Sequence, residues 1–169
     1  MWEYTGQKRP PFAIEPGSDQ ESVWDYPRPP ALVKDERLVE VRNTTEELAR
    51  TNHAFRLLET AGPPTFYIPP NDVNWDSLMV VAGSSMCEWK GAATYFAIRT
   101  DPETAIAWSY TTPNKKYAQL QNFVGFYPGR IACFVNDERV RAQPGHFYGG
   151  WITAEIVGPF KGDPGSNNW

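Results

Sequence analysis

Ser84-Ser85-Met86-Cys87-Glu88-Trp89-Lys90-Gly91-Ala92-Ala93-Thr94-Tyr95-Phe96 is the stretch whose reading decides the fold. It packs a thiol, an acid, an indole, an amine and a phenol into one turn and the strand behind it. Gly91, just after Lys90, lets the backbone turn tightly without a Cβ clash. Beyond it the residues alternate. Thr94, Phe96 and Ile98 fall on one face and Ala93, Tyr95 and Ala97 on the other, the period of a strand. The polar cluster therefore belongs at the mouth of a sheet, where a rigid scaffold commonly presents its functional groups.

Working outward, the 169 residues suit one domain with terminal extensions. That length buries a core without staples, and seven Trp, eight Tyr and nine Phe supply its bulk. Sixteen Pro and thirteen Gly demand many turns, which favours a β-rich plan over a helical bundle. The net charge of −4, with no basic block, argues against a nucleic-acid surface. No run of eighteen apolar residues is present, so no membrane helix is expected. The polar, Pro-containing first twenty residues do not read as a signal peptide. Cys87 and Cys133 are expected as reduced thiols in a cytoplasmic protein.

Residues 1–31 carry Pro10-Pro11, Pro16-Gly17, Pro27 and Pro29-Pro30 and read as an extended arm. Trp2, Tyr4, Trp24 and Tyr26 on that arm predict docking, either on the body or on a second subunit as a homodimer. Leu38–Arg42 alternates as a strand. Glu47–Thr51 reads either as the returning strand or as part of a helix from Thr44. Asn52 is placed to cap a short helix over His53–Glu59, stopped by Gly62-Pro63-Pro64. Thr65–Ile68 is a short β run. Ala92–Arg99 and Ala105–Tyr110 form a hairpin around a turn at Asp101-Pro102-Glu103. Phe123–Tyr127 and Ile131–Val135 form another around Pro128-Gly129. Asn136-Asp137 turns into a short strand near Arg139-Val140. Trp151–Val157 is a strand-like run, and a Gly/Pro tail follows.

Four motifs carry a resemblance: Leu57-Leu58-Glu59-Thr60 with Pro63-Pro64 and Tyr67-Ile68-Pro69; Cys87-Glu88-Trp89-Lys90-Gly91 with Ala93 and Tyr95; Ala107-Trp108-Ser109-Tyr110; and Val124-Gly125-Phe126-Tyr127. In this order, over about residues 22–141, they resemble the domain-of-unknown-function 427 family, sometimes labelled nucleotidyltransferase-like. The resemblance implies a mainly β fold: a compact antiparallel sheet or barrel-like (β-tent-like) domain with one short helix and extended termini. It implies that Glu47–Thr51 is a strand. It divides the chain into an arm (1–31), a core β domain (32–141) and a C-terminal extension (142–169) that packs on the core or on a partner. It brings no established reaction. Nucleotidyl transfer in its common form needs paired carboxylates on the strand after a Gly-Ser turn, to hold two metal ions. Gly83-Ser84 offers the turn, but Ala92–Arg99 contains no acid.

The candidate site is built on the central turn. Lys90, fixed by a glycine turn beside an indole, suits a carboxylate or phosphate as a point charge, and if buried an amine nucleophile. Its structural alternative is a salt bridge to Glu59 or Glu88. Cys87 is a candidate nucleophile if the fold brings His53 or His146 to it, and otherwise a small buried hydrophobe. Glu59, at the end of the expected helix, opposes the helix dipole and so calls for a partner such as Lys90 or Arg56. Cys87, Lys90 and Glu59 are thus the catalytic candidates. Arg56, Glu88, Trp89, Tyr95, Trp108 and Tyr110 are the binding candidates, the aromatics, together with Tyr127, serving either as stacking walls or as core. Two Cys and two His without close spacing make no zinc-type set, and no cofactor or metal is expected. The function expected is binding of a small anionic metabolite. The alternatives are an interaction module acting through the aromatic arms, and metal-dependent nucleotidyl transfer.

Overall fold

The fold grows from the hairpin that the central stretch predicts. A computed structural model describes residues Met1–Trp169. In chain order its strands are β1 (Glu21–Ser22), β2 (Ala31–Asp35), β3 (Val39–Arg42), β4 (Glu47–Thr51), β5 (Ala54–Leu58), β6 (Thr65–Tyr67), β7 (Leu78–Cys87) and β8 (Gly91–Ile98). They continue with β9 (Asp101–Ser109), β10 (Val124–Phe126), β11 (Ala132–Val135), β12 (Glu138–Arg139), β13 (Arg141–Ala142), β14 (Trp151–Ile152) and β15 (Ile156–Val157). Helical content is confined to short 3-10 turns, the longest at Lys115–Leu120. The protein is mainly β.

β7 and β8 pair from Leu78↔Ile98 to Cys87↔Gly91 and extend through β9 and β10 into a four-stranded antiparallel meander. A bridge between Ile68 and Val124 carries this meander on to the β2-β5-β6 sheet. A third sheet, β12-β11-β3-β4, faces it, and the sheets do not close into a barrel. The alternation of β8 decides what lies between the layers. Phe96 and Ile98 join Val41, Leu48, Phe66, Phe126 and Trp151 in the main core. Ala93 and Tyr95 face the other way, onto an aromatic cluster of Tyr67, Trp108, Tyr110 and Tyr117.

Four expectations are corrected. His53–Glu59 is not a helix: Ala54–Leu58 is β5, paired on both sides, with β2 and with β6. Five residues containing Phe55, Leu57 and Leu58 fit either period, and two flanking strands decide the matter. β9 already begins at Asp101. Pro102 and Glu103 lie in an irregularity of the β8–β9 ladder, where a missing N–H is tolerated. β10 and β11 do not pair with each other: β10 adds to β9 and β11 to β3, so Pro128-Gly129 carries the chain between sheets. Trp151–Val157 is two short strands, β14 and β15.

The arm docks on its own chain. β1 pairs in parallel with β15, and Val23, Trp24 and Tyr26 pack with Ala61 and Ile156. Trp24 is fully buried, edge-on to Tyr4 and Phe12 at 5.3 Å between ring centroids, with Trp169 at 5.2 Å.

An ionic cluster fastens the same region. Arg56 reaches Glu21 Oε2 at 3.2 Å and lies 3.3 Å from Asp35 Oδ2. Arg37 bonds Asp35 at 2.7 Å and also pairs with Glu155. Burial alone would raise the Asp35 and Glu21 carboxyls. The hydrogen bonds and charges of Arg37 and Arg56, with Tyr26 on Glu21, hold both below the ordinary carboxylate value. Such groups bind protons more weakly folded than unfolded. Their contribution is therefore complete above the unfolded carboxylate range, around pH 4, and is lost as pH falls through the depressed folded values.

Two predictions follow from this packing. Trp24→Ala should cost about 3–5 kcal/mol in urea unfolding. Asp35→Asn should flatten the acid-side loss of stability measured by unfolding between neutral pH and pH 3, and an unchanged profile would remove the cluster from that role.

Candidate functional site

The turn Glu88-Trp89-Lys90 closes the β7–β8 hairpin where Cys87 faces Gly91. Gly91 has φ +100°, a value L side chains rarely adopt. Asn114 clamps the turn: its side-chain amide donates to the Trp89 carbonyl at 2.7 Å and its backbone N–H to that of Lys90 at 3.2 Å. The hairpin end forms one wall of a cleft of about 690 Å³.

Tyr95 and Trp108 are directly paired across β8 and β9, so they share the cleft face, and Tyr110 lies two residues further along. Trp108 is the floor. Its indole N–H points to the Tyr67 hydroxyl at 3.4 Å, and its ring lies 4.5 Å from that of Tyr127. A Cβ on Gly125 would come within 2.5 Å of the ring, and one on Gly149 within 2.3 Å. Only glycine fits at both places. Burial pushes the Tyr67, Tyr110 and Tyr127 phenols well up, so they stay protonated O–H groups at neutral pH. Ser85 and Tyr95 share a hydroxyl hydrogen bond of 2.5 Å.

Lys90 lies above this floor, its Nζ 5.5 Å from the Tyr110 ring centroid and 5.8 Å from that of Tyr67. Its salt-bridge alternative is not formed: neither Glu59 nor Glu88 lies within 4.0 Å of it, and its ammonium has no hydrogen-bond acceptor in the protein. The other cations of the cleft are engaged. Arg28 donates to Glu59 Oε1 at 3.3 Å and to the carbonyls of Tyr4 and Thr60. Arg130 donates to the carbonyls of Ala105 and His146. Lys161 reaches the main-chain oxygen of Trp169 at 3.3 Å. Burial, with Arg28 nearby, lowers its ammonium from the ordinary lysine value.

Cys87, Glu59, Glu88, Trp89, Tyr95, Trp108 and Tyr110 all line the cleft with Lys90. Cys87 is half-buried and packs on the aromatic cluster, with no hydrogen bond to His53 or His146. Glu59 is held by the Trp89 indole N–H at 3.2 Å as well as by Arg28, and its helix-dipole argument disappears with the helix. Arg56 is a correction. In a helix, residues 56 and 59 would share a face. In β5, neighbours alternate, so Leu57 faces the cleft while Arg56 points into the ionic cluster with Glu21 and Asp35.

Tyr127, expected as a stacking wall, lines the cleft, while sequence reasoning missed Tyr67, Arg28, Lys161 and the pair Phe147-Tyr148, all of which also line it. The alternation in Thr65-Phe66-Tyr67 carried a usable signal, since Phe66 enters the main core and Tyr67 faces the other way. Arg28 and Lys161 arrive from irregular segments with no periodicity. No group of three His, Cys, Asp or Glu side chains is gathered as a metal site.

The slot around Trp108 gives a test. Gly125→Ala should destabilise by about 1–3 kcal/mol through overpacking. Gly62→Ala, whose added Cβ meets only ordinary contact at 3.7 Å, should cost far less. Equal unfolding midpoints for the two variants would disprove the steric account.

A search of curated proteins returned no match. A family model, Domain of unknown function (DUF427), matches residues 31–137 and so spans the central hairpin, β9, β10 and the strands behind them. The chain belongs to the DUF427 family.

Proposed function

We propose that the cleft binds a small anion whose negative group rests on Lys90. The observation that carries this reading is the state of Lys90. It is an ammonium without a carboxylate or carbonyl partner, held over two phenol rings and surrounded by cations that are already engaged. Four cationic side chains line the cleft against two carboxylates, Glu59 and Glu88, which favours a negative guest. The aromatic walls add stacking area.

The rival readings have less behind them. Nucleotidyl transfer asks for paired acids beside Gly83-Ser84, and β8 contains none. The interaction-module reading drew on exposed aromatics in the arm, but Trp24 and Tyr26 are buried within the chain. We place the protein in the cytoplasm, a reading supported by the two free thiols, Cys87 and Cys133. No helix is long and apolar enough to cross a membrane.

Thermal unfolding of wild type and Lys90→Met against a panel of carboxylates, sugar phosphates and nucleotides tests the proposal. A ligand at a hundred times its dissociation constant adds about 2.7 kcal/mol. For a chain of this size that is a shift of roughly 5–10 °C. The shift should appear in wild type and vanish in Lys90→Met. A shift of equal size in both proteins would exclude Lys90 as the anchor.

A further inference from the structure

Resting on the anion-binding reading, we infer that the guest is a dianion with an aromatic body, its negative charge shared between Lys90 and Lys161. Charge sets the first half. Of the cations lining the cleft, Arg28 is paired with Glu59 at 3.3 Å. Arg130 and Lys161 donate only to main-chain oxygens, so no side-chain carboxylate cancels their charges. Glu88 alone then stands against Lys90, Arg130 and Lys161, which leaves a surplus of two positive charges. A single carboxylate balances half of that surplus, and a triphosphate overshoots it. A phosphate monoester, at about −1.5 to −2 near neutral pH, matches it, and so does a dicarboxylate.

Lys161 is placed to take the second charge. It is half-buried, its Nζ 4.4 Å from the Trp2 ring centroid and 5.8 Å from that of Tyr148. An ammonium has three N–H donors. The Trp169 main-chain oxygen takes one of them, at 3.3 Å, and the others are free for a guest. Burial and the Arg28 charge lower this ammonium, while Glu59 and Glu88 act in the other direction. Glu88 belongs to the turn that carries Lys90, so the two ammoniums stand toward the same end of the cleft. An anion bound there offsets the burial of Lys161.

Size and wall chemistry set the second half. About 690 Å³ is far more than an inorganic anion fills. The surrounding surface is aromatic, with Trp89, Tyr95, Trp108 and Tyr127 on the body side. On the open side Phe147 and Tyr148 pack edge to face at 5.0 Å. Phe147 is 72% exposed and Tyr148 42% exposed, although both line the cleft. Two adjacent rings left in water at the mouth of an aromatic cleft gain apolar burial when a flat body enters. Lys161 and these two rings lie beyond residue 137, where the match to the family model ends, whereas Lys90 lies within it. The C-terminal extension therefore supplies the second charge to a cleft whose first anchor belongs to the family region.

Isothermal titration at neutral pH compares two dianions with their singly charged twins: phenyl phosphate with phenyl sulfate, and phthalate with benzoate. Inorganic phosphate serves as the dianion without a ring. Wild type should bind at least one dianion about tenfold more tightly than its twin, the scale of a charge-assisted contact. The tighter of the two dianions tells a phosphate monoester from a dicarboxylate. Inorganic phosphate should bind more weakly than phenyl phosphate. Lys90→Met should weaken every ligand. Lys161→Met should weaken the dianion and close most of its gap to the twin, whereas Lys161→Arg, which keeps the charge, should preserve the gap. Lys90-dependent binding with no preference for either dianion would overturn the charge assignment and leave the anion site standing. A gap that survives in Lys161→Met, or that is lost equally in Lys161→Arg, would overturn the role of Lys161. Inorganic phosphate binding as tightly as phenyl phosphate would overturn the aromatic body. Absence of binding by all five ligands, or binding indifferent to Lys90, would overturn both this inference and the anion reading beneath it.

Discussion

The Trp108 indole is the constraint on which the arrangement depends. It is a large ring in a place where three parts of the chain meet: β8 through Tyr95, β10 through Gly125, and the C-terminal extension through Gly149. Each neighbour accommodates it by giving something up. Gly125 and Gly149 have no side chain, and the Tyr67 hydroxyl turns toward its N–H. The ring in turn gives the cleft a rigid floor and keeps Tyr127 and Tyr67 in place around it. A packed aromatic at such a junction is sensitive to a single added methyl group, because protein interiors have little spare volume.

Above that floor, the electrostatics divide into charges that hold the structure and one that does not. Arg28 links the arm to the central turn: it stacks on Trp2 at 4.1 Å, bonds Glu59, and through Glu59 steadies Trp89. Arg56 and Arg37 serve the ionic cluster on the opposite side of β5. Each of these cations lies against at least one carboxylate, the arrangement in which partly buried charges are tolerated, although the buried Arg56 Nε makes no hydrogen bond. Lys90 stands apart, with only the faces of two aromatic rings beneath it. An ammonium over phenol rings retains some stabilisation from their quadrupoles. It keeps its hydrogen-bond donors available to a guest.

How much of this could be read from the sequence follows from the range of the interactions. The β8 strand and its two faces were legible because Ala93 to Ile98 alternate over a full strand length, and the turn was legible because Gly91 follows Lys90. The gathering of Cys87, Glu88, Trp89 and Lys90 at one site followed from that turn, and Tyr95 and Trp108 from the family motifs. β5 was not legible, since a five-residue apolar run satisfies both helix and strand periods and its two partners are remote in sequence. The error in β5 moved Arg56 to the wrong face, because the one-residue difference in side-chain direction is the whole distinction between cleft and ionic cluster. Pro128-Gly129 looked like a hairpin turn because turn chemistry fixes a local bend and says nothing about which sheet receives the next strand. Arg28 and Lys161 reach the cleft from extended segments, where only the folded chain determines position.

The parallel pairing of β1 with β15 also bears on how the chain acquires its structure. The Gln20 side chain bonds the Ala154 carbonyl across 134 positions, and Glu21 pairs with Ile156 beside it. Loop closure of that length is entropically expensive and rewards the chain only after both partners exist. During synthesis, residues 20–26 leave the ribosome long before residues 154–157 do. Trp24 must then wait, its indole without its final neighbours, while the sheets behind it assemble. The Pro-rich composition of the arm suits that interval, since an extended, stiff segment is slow to pair wrongly with the growing sheet edges. β1 can therefore complete its pairing only after the segment that carries β15 has been made.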